Sequence, residues 1–125
     1  MRDSTLINLR PQLNLNTQHS KEMERFQNQT LRPILKFQND ATIKLLIRSQ
    51  HFIKIRAQYR EVSIDKLKAF INNFLTSNLA FRNTLIGSII GFMTMDELEF
   101  YLDNTSEINK RIISMQAERY IDYLS

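Results

Sequence analysis

Residues 79–92 read Leu79-Ala80-Phe81-Arg82-Asn83-Thr84-Leu85-Ile86-Gly87-Ser88-Ile89-Ile90-Gly91-Phe92. At about 100° per residue, Leu79, Phe81, Leu85, Ile86, Ile89, Ile90 and Phe92 point in nearly every direction around a helix axis. A helix that is apolar on all sides is a buried one, so this segment is expected to be the central helix of the fold. The remaining sector, Ala80, Thr84, Gly87, Ser88 and Gly91, spans about 100° of arc. A mid-helix glycine costs about 1 kcal/mol relative to alanine. Close approach of another helix along this small-residue stripe would offset that cost.

Immediately downstream, Thr94-Met95-Asp96-Glu97 has the spacing of a capping box, with Thr94 at the N-cap and Glu97 reaching back. Met93 and Leu98 form the matching hydrophobic staple, which predicts a helix over 95–103 that ends in the polar stretch 103–106. A last helix over about 107–123 carries Ile108, Ile112 and Met115 on one edge, widened by Ile113, Ala117, Tyr120, Ile121 and Leu124. Glu107 and Arg111 are spaced to pair on its exposed side. Upstream, Ser63 is placed to cap a helix whose Ile64, Leu67, Phe70, Ile71, Phe74 and Leu75 fall on one face.

A longer periodic segment runs from Lys21 to Phe52 or beyond, with Ser20 as its N-cap. Pro33 interrupts it, because proline lacks the N–H for the Gln29 carbonyl and its ring crowds that group. Two readings follow: a kinked continuous helix, or a break with Thr30 capping a second helix. Straight, residues 21–55 would span about 52 Å, against a radius of gyration near ~14 Å for a domain this size. Bending or breaking is therefore expected.

No segment alternates as a strand, and one valine stands against fifteen leucines and fifteen isoleucines that recur at helical spacing. The fold class is all-α: a compact bundle of five to six helices around the buried helix at about 79–92. With 125 residues, 42% of them hydrophobic, there is room for one domain. It is assigned to 20–125, behind an N-terminal arm at 1–19. Leu6, Ile7, Leu9, Leu13 and Leu15 give that arm apolar residues to dock on the body or on a neighbouring copy.

The absence of cysteine excludes disulfides, thiolate nucleophiles and cysteine-based metal sites. His19 and His51 lack the partners of a zinc or di-iron motif, and capping and solvation account for the acidic run Asp96, Glu97, Glu99 and Asp103. No cofactor or metal is expected. Gly87-Ser88-Ile89-Ile90-Gly91 sets a serine between glycines, but inside the most apolar helix, where packing explains it better than catalysis. The reading leans away from an enzyme. No apolar run approaches the length of a membrane span. The opening MRDSTLINLRPQ lacks a signal peptide's apolar stretch and cleavage site, so a cytoplasmic location is expected.

Two clusters remain. Gln38, Thr42 and Ser49 project at the centre of the long segment's apolar stripe, where buried polar groups need partners. Either Thr42 and Ser49 bond back to their own helix and Gln38 bonds across, or the three line a small ligand cavity. Lys44, Arg48 and His51 fall on the outer side, with Lys54 nearby, as a face for a phosphate backbone or an acidic partner, or as plain solvated surface. Residues 1–60 hold eleven basic and four acidic side chains, but the chain's net charge of +4 is modest. That speaks against nucleic acid as the main partner.

The stretch Phe26-Gln27-Asn28-Gln29-Thr30-Leu31-Arg32-Pro33-Ile34-Leu35-Lys36-Phe37-Gln38 resembles a group of short, uncharacterised, all-helical bacterial proteins. The likeness resumes at Phe81-Arg82-Asn83-Thr84-Leu85-Ile86-Gly87 and Phe92-Met93-Thr94, and ends near Asn109-Lys110-Arg111. The resemblance implies a small helical protein and brings no activity with it. Some of the group bear an automatic "glyoxalase" label. Glyoxalase I proteins are β-rich, paired βαβββ modules with histidine and glutamate metal ligands, and this chain departs on both counts. The expected mode of action is association, with a second copy or another protein. It rests on Phe52, Phe100, Tyr101 and the arm's leucines, which a chain this short has difficulty hiding. A small-molecule site at Gln38, Thr42 and Ser49 and a weak anion face at Lys44, Arg48, His51 and Lys54 are the alternatives.

Overall fold

A computed structural model describes residues 1–13, 21–58 and 63–125, without the side chains of 55, 57 and 58. Among these residues every regular element is helical. In chain order they are α1 (Arg2–Leu9), α2 (Glu22–Phe26), a π-helical turn (Gln27–Leu31), α3 (Arg32–Phe37), α4 (Asn39–Ile47), α5 (Gln50–Gln58), α6 (Ile64–Ser77), α7 (Leu79–Ile90), α8 (Met95–Asp103) and α9 (Thr105–Leu124). No helix among the described residues is long and apolar enough to cross a membrane.

Pro33 neither breaks the helix nor makes Thr30 a cap. The turn before it widens instead, so that the Arg32 N–H donates to the carbonyl of Gln27, five residues back. A wider turn sets the preceding carbonyls farther from the pyrrolidine ring, and the chain continues helically through a buried Pro33. The true bends come later. The helix is interrupted at Gln38 (φ −86°, ψ 4°) and again by a turn at Arg48 and Ser49, dividing the expected long helix into α3, α4 and α5. The bundle therefore has more segments than the five to six expected. The proposed Ser20 cap and Leu15 lie outside the described residues.

α9 supplies more buried residues than any other described helix. It buries Ile108, Ile112, Ile113, Met115, Gln116, Ala117 and Tyr120, and packs against α6, α7 and α8. α6 meets it with Ile71, Phe74 and Leu75, and Ser63 caps α6 by accepting from the Lys66 N–H at 3.3 Å. The ring of Phe74 lies 4.8 Å from that of Phe81 on α7, and Phe26 lies 4.7 Å from Phe100 on α8. Leu31, Ile34, Leu35 and Leu46 bring the first half of the chain into the same core.

The helix at 79–92 is not enclosed as expected. Only Leu85, Ile86 and Ile89 of α7 are buried, while Leu79, Ala80, Asn83, Thr84, Gly87 and Gly91 are exposed. The small-residue stripe receives no helix: nothing lies within 4 Å of where a Gly87 Cβ would stand. Apolar residues on every side of a sequence show that burial is possible, and the supply of neighbours decides whether it happens. Gly87 sits in regular helix on an open face, so Gly87→Ala is expected to raise stability by about 1 kcal/mol in urea unfolding of the dilute protein. A loss of stability would mean that this face is covered within the folded chain.

Candidate functional site

The α7–α8 connection exposes two opposite electrostatic ends. α7 ends at Ile90 with the partial negative charge of a helix C-terminus, followed by the carbonyls of Gly91, Phe92 and Met93 in the connection, while the first N–H groups of α8 carry partial positive charge. Thr94 and Glu97 form the expected capping box: the Glu97 N–H donates to the Thr94 hydroxyl, and the Thr94 N–H donates to Glu97 Oε1 at 2.8 Å. The arm supplies complementary groups to both ends. Arg2 donates to the carbonyls of Met93 (2.9 Å) and Gly91 (3.1 Å), and Arg10 donates to that of Phe92 (2.7 Å). Asp3 accepts from the Met95 N–H at 3.2 Å. Three consecutive carbonyls are thus held by arginines.

Arg10 also forks onto Glu97, with Nη2–Oε1 at 2.6 Å and Nη1–Oε2 at 2.8 Å, its side chain only 6% exposed. Thr30, from the π-helical turn, donates to Glu97 Oε2 at 2.6 Å. One carboxylate therefore ties together the arm, the irregular turn and the start of α8. Burial alone would raise the pKa of Glu97. Hydrogen bonds from Arg10, Thr30 and the Thr94 N–H, together with the Arg10 charge, outweigh it and bring the value down to about 2. The arm thus holds the body through polar contacts. Its apolar Ile7 and Leu9 stay exposed, and α1 buries no residue.

The polar seam is satisfied within the chain. Gln38 Nε2 donates to the Ser88 carbonyl on α7 at 3.0 Å, Thr42 donates to the Asn39 carbonyl at 3.0 Å, and Ser49 donates to the Leu46 carbonyl at 2.7 Å. The three do not converge. Thr42 instead joins a buried group on α9 that the sequence reading missed: Gln116 Nε2 donates to its hydroxyl at 3.3 Å, and the Tyr120 phenol donates to its carbonyl at 2.6 Å. Burial pushes the Tyr120 phenol well above its ordinary pKa. Gln116 Oε1 is buried with no partner. Nothing in sequence marked Gln116, because a glutamine at helical spacing reads equally well as edge or interior.

Lys44, Arg48, His51 and Lys54 are all exposed, as a surface face requires. The bend at Arg48 and Ser49 divides them between α4 and α5, so they do not line one straight helix. His51 lies against Phe74, with ring centroids 5.7 Å apart. No group of three His, Asp or Glu side chains is placed to hold a metal ion among the described residues.

Compared with known proteins, the chain matches no family model, no curated protein and no solved structure. The hydrogen bonds of the Glu97 carboxylate fasten the arm, the π-helical turn and the start of α8 to one another.

Arg10→Ala leaves Glu97 without its cation, with an expected loss on the order of 3 kcal/mol at pH 7 in denaturant unfolding. The depressed pKa means that this stabilisation is full above pH 4.5 and is lost as pH falls toward about 2. In the variant, the Glu97 carboxyl followed by carbon NMR should titrate closer to 4.5, and a midpoint unmoved from about 2 would contradict the assignment. Gln116→Met keeps the side chain's shape and removes an unpartnered carbonyl, so stability should stay level or rise by about 1 kcal/mol. A loss of more than about 2 kcal/mol would mean that the amide is fully bonded.

Proposed function

We propose that the protein works by association, first with a second copy of itself, through the outward side of α7. Phe52 and Tyr101, expected to resist burial, are in fact hidden, and Phe100 is half-buried against Phe26. The apolar surface lies elsewhere: Leu79 is 64% exposed, Met95 61% and Leu102 67%. Single exposed apolar residues are ordinary. The observation that carries the reading is Gly87, a glycine in mid-helix on an open face with no contact inside the chain to require it. A small-residue face lets a second helix come close, and a two-fold contact uses the same patch twice.

Sedimentation at micromolar concentration should give about twice the chain mass of 14.9 kDa. Gly87→Arg should return it to one chain mass with helicity unchanged by circular dichroism. A strict monomer for the parent protein, or a dimer that tolerates arginine at this position, would contradict the proposal.

A further inference from the structure

The arm is attached to the body in an unusual way. No leucine or isoleucine of the described arm belongs to the hydrophobic core or packs against it. Ile7 and Leu9 stand 48% and 46% exposed. The arm is seated instead by Arg10 on Glu97 and the Phe92 carbonyl, Arg2 on the Met93 and Gly91 carbonyls, and Asp3 on the Met95 N–H. All of these groups lie between Gly91 and Glu97, and an arm from a second copy meets the same groups in the same geometry.

The seat adjoins the face assigned to association. Gly91 is exposed on the small-residue side of α7, and Arg2 Nη2 reaches its carbonyl at 3.1 Å. That side is small for a stable pair. α7 has 12 residues, so its outward face is about 18 Å long and about 10 Å wide. A stable pair buries ~800 Å² on each partner. Glycine and alanine side chains add little to what so narrow a strip can bury, and a segment beside it has to supply the rest. The arm is that segment. Leu13 and Lys21 are eight residues apart in sequence, a reach of up to about 28 Å. Packed helix axes are separated by only about 8–10 Å, so the chain is long enough to cross to a neighbour.

We infer that two copies paired through α7 exchange their arms, so that Arg10 of each chain forks onto the partner's Glu97 and Arg2 holds the carbonyls of the partner's Gly91 and the partner's Met93. The inference rests on the association proposed above. Exchange costs no contact, because every bond broken within one chain is remade between the two. It gives Ile7 and Leu9 a second body to lie against, and it places two bidentate charge pairs across the contact.

The test mixes two full-length variants: Arg10→Ala labelled with carbon-13, and unlabelled Glu97→Ala in excess. Neither chain holds an intact pair of its own. Exchange restores one pair in each mixed dimer, between Arg10 of the unlabelled chain and Glu97 of the labelled one. At about pH 3.5 the Glu97 carboxyl is protonated at its ordinary value of 4.5 and ionised when the pair brings it to about 2. Its carbon signal should therefore move to the ionised position on mixing, with both variants helical by circular dichroism and the sample sedimenting as a dimer. A mixed dimer in which Glu97 stays protonated would overturn the exchange and leave the α7 pairing in place, whereas a monomeric parent protein would overturn both. A second measurement at pH 7 needs neither weakened variant. The chain has no cysteine, so Asn8→Cys, at an exposed arm position, carries a nitroxide at one place. Mixed with nitrogen-15 parent chain, it should broaden the parent's amides at 94–97. Amides that stay sharp there in a sedimenting dimer would contradict the exchange.

Discussion

The structure depends on the buried face of one helix, α9. Ile108, Ile112 and Tyr120 are fully buried on it, and α6, α7 and α8 pack around them. Burying a large apolar side chain contributes about 1.5–3 kcal/mol, so one well-covered helix of this length outweighs any single polar contact in the chain. Because α9 takes the interior, α7 is displaced outward. Its sequence is apolar enough for a core position, yet only three of its side chains reach one. The open glycine face on α7 is the direct consequence.

Polar contacts then fix what apolar packing leaves undetermined. Gln38 ties α3 to α7, while Gln116 and Tyr120 tie α9 to α4. The Glu97 carboxylate does the same for the arm, which without it would rest on the body through a helix with no buried residue. The arm is a charged strap, complementary at once to the negative end of α7 and the positive end of α8. Its placement shows how a segment too poor in core residues to pack can still be located by charge.

What was readable in the sequence was local. The Thr94–Glu97 capping box, the Ser63 cap and the bounds of α8 follow from residues three or four apart, and all three stand in the structure. Pro33 announced a disturbance, and the π-helical turn is its outcome. The bends at Gln38 and Arg48 carried no proline or glycine to signal them. The Arg10–Glu97 pair joins residues 87 positions apart, a distance no spacing rule spans. The expectation that α7 lies buried on all sides failed for a related reason. Composition marks which helix is able to be buried, whereas Gln116 and Ala117 are buried because of what surrounds them. Of the seam, Thr42 is buried and Gln38 and Ser49 are half-buried, while Lys44, Arg48, His51 and Lys54 are exposed. Where the seam's hydrogen bonds go was settled by tertiary contacts invisible in one sequence.

The central claim, that α9 and not α7 supplies the main buried face of the core, is tested most directly by native-state hydrogen exchange read residue by residue. The amides of 112–120 should be the slowest in the chain and open only with global unfolding, while those of 80–84 exchange through smaller, local openings. Amides of α9 that exchange as fast as those of α7, or faster, would contradict it.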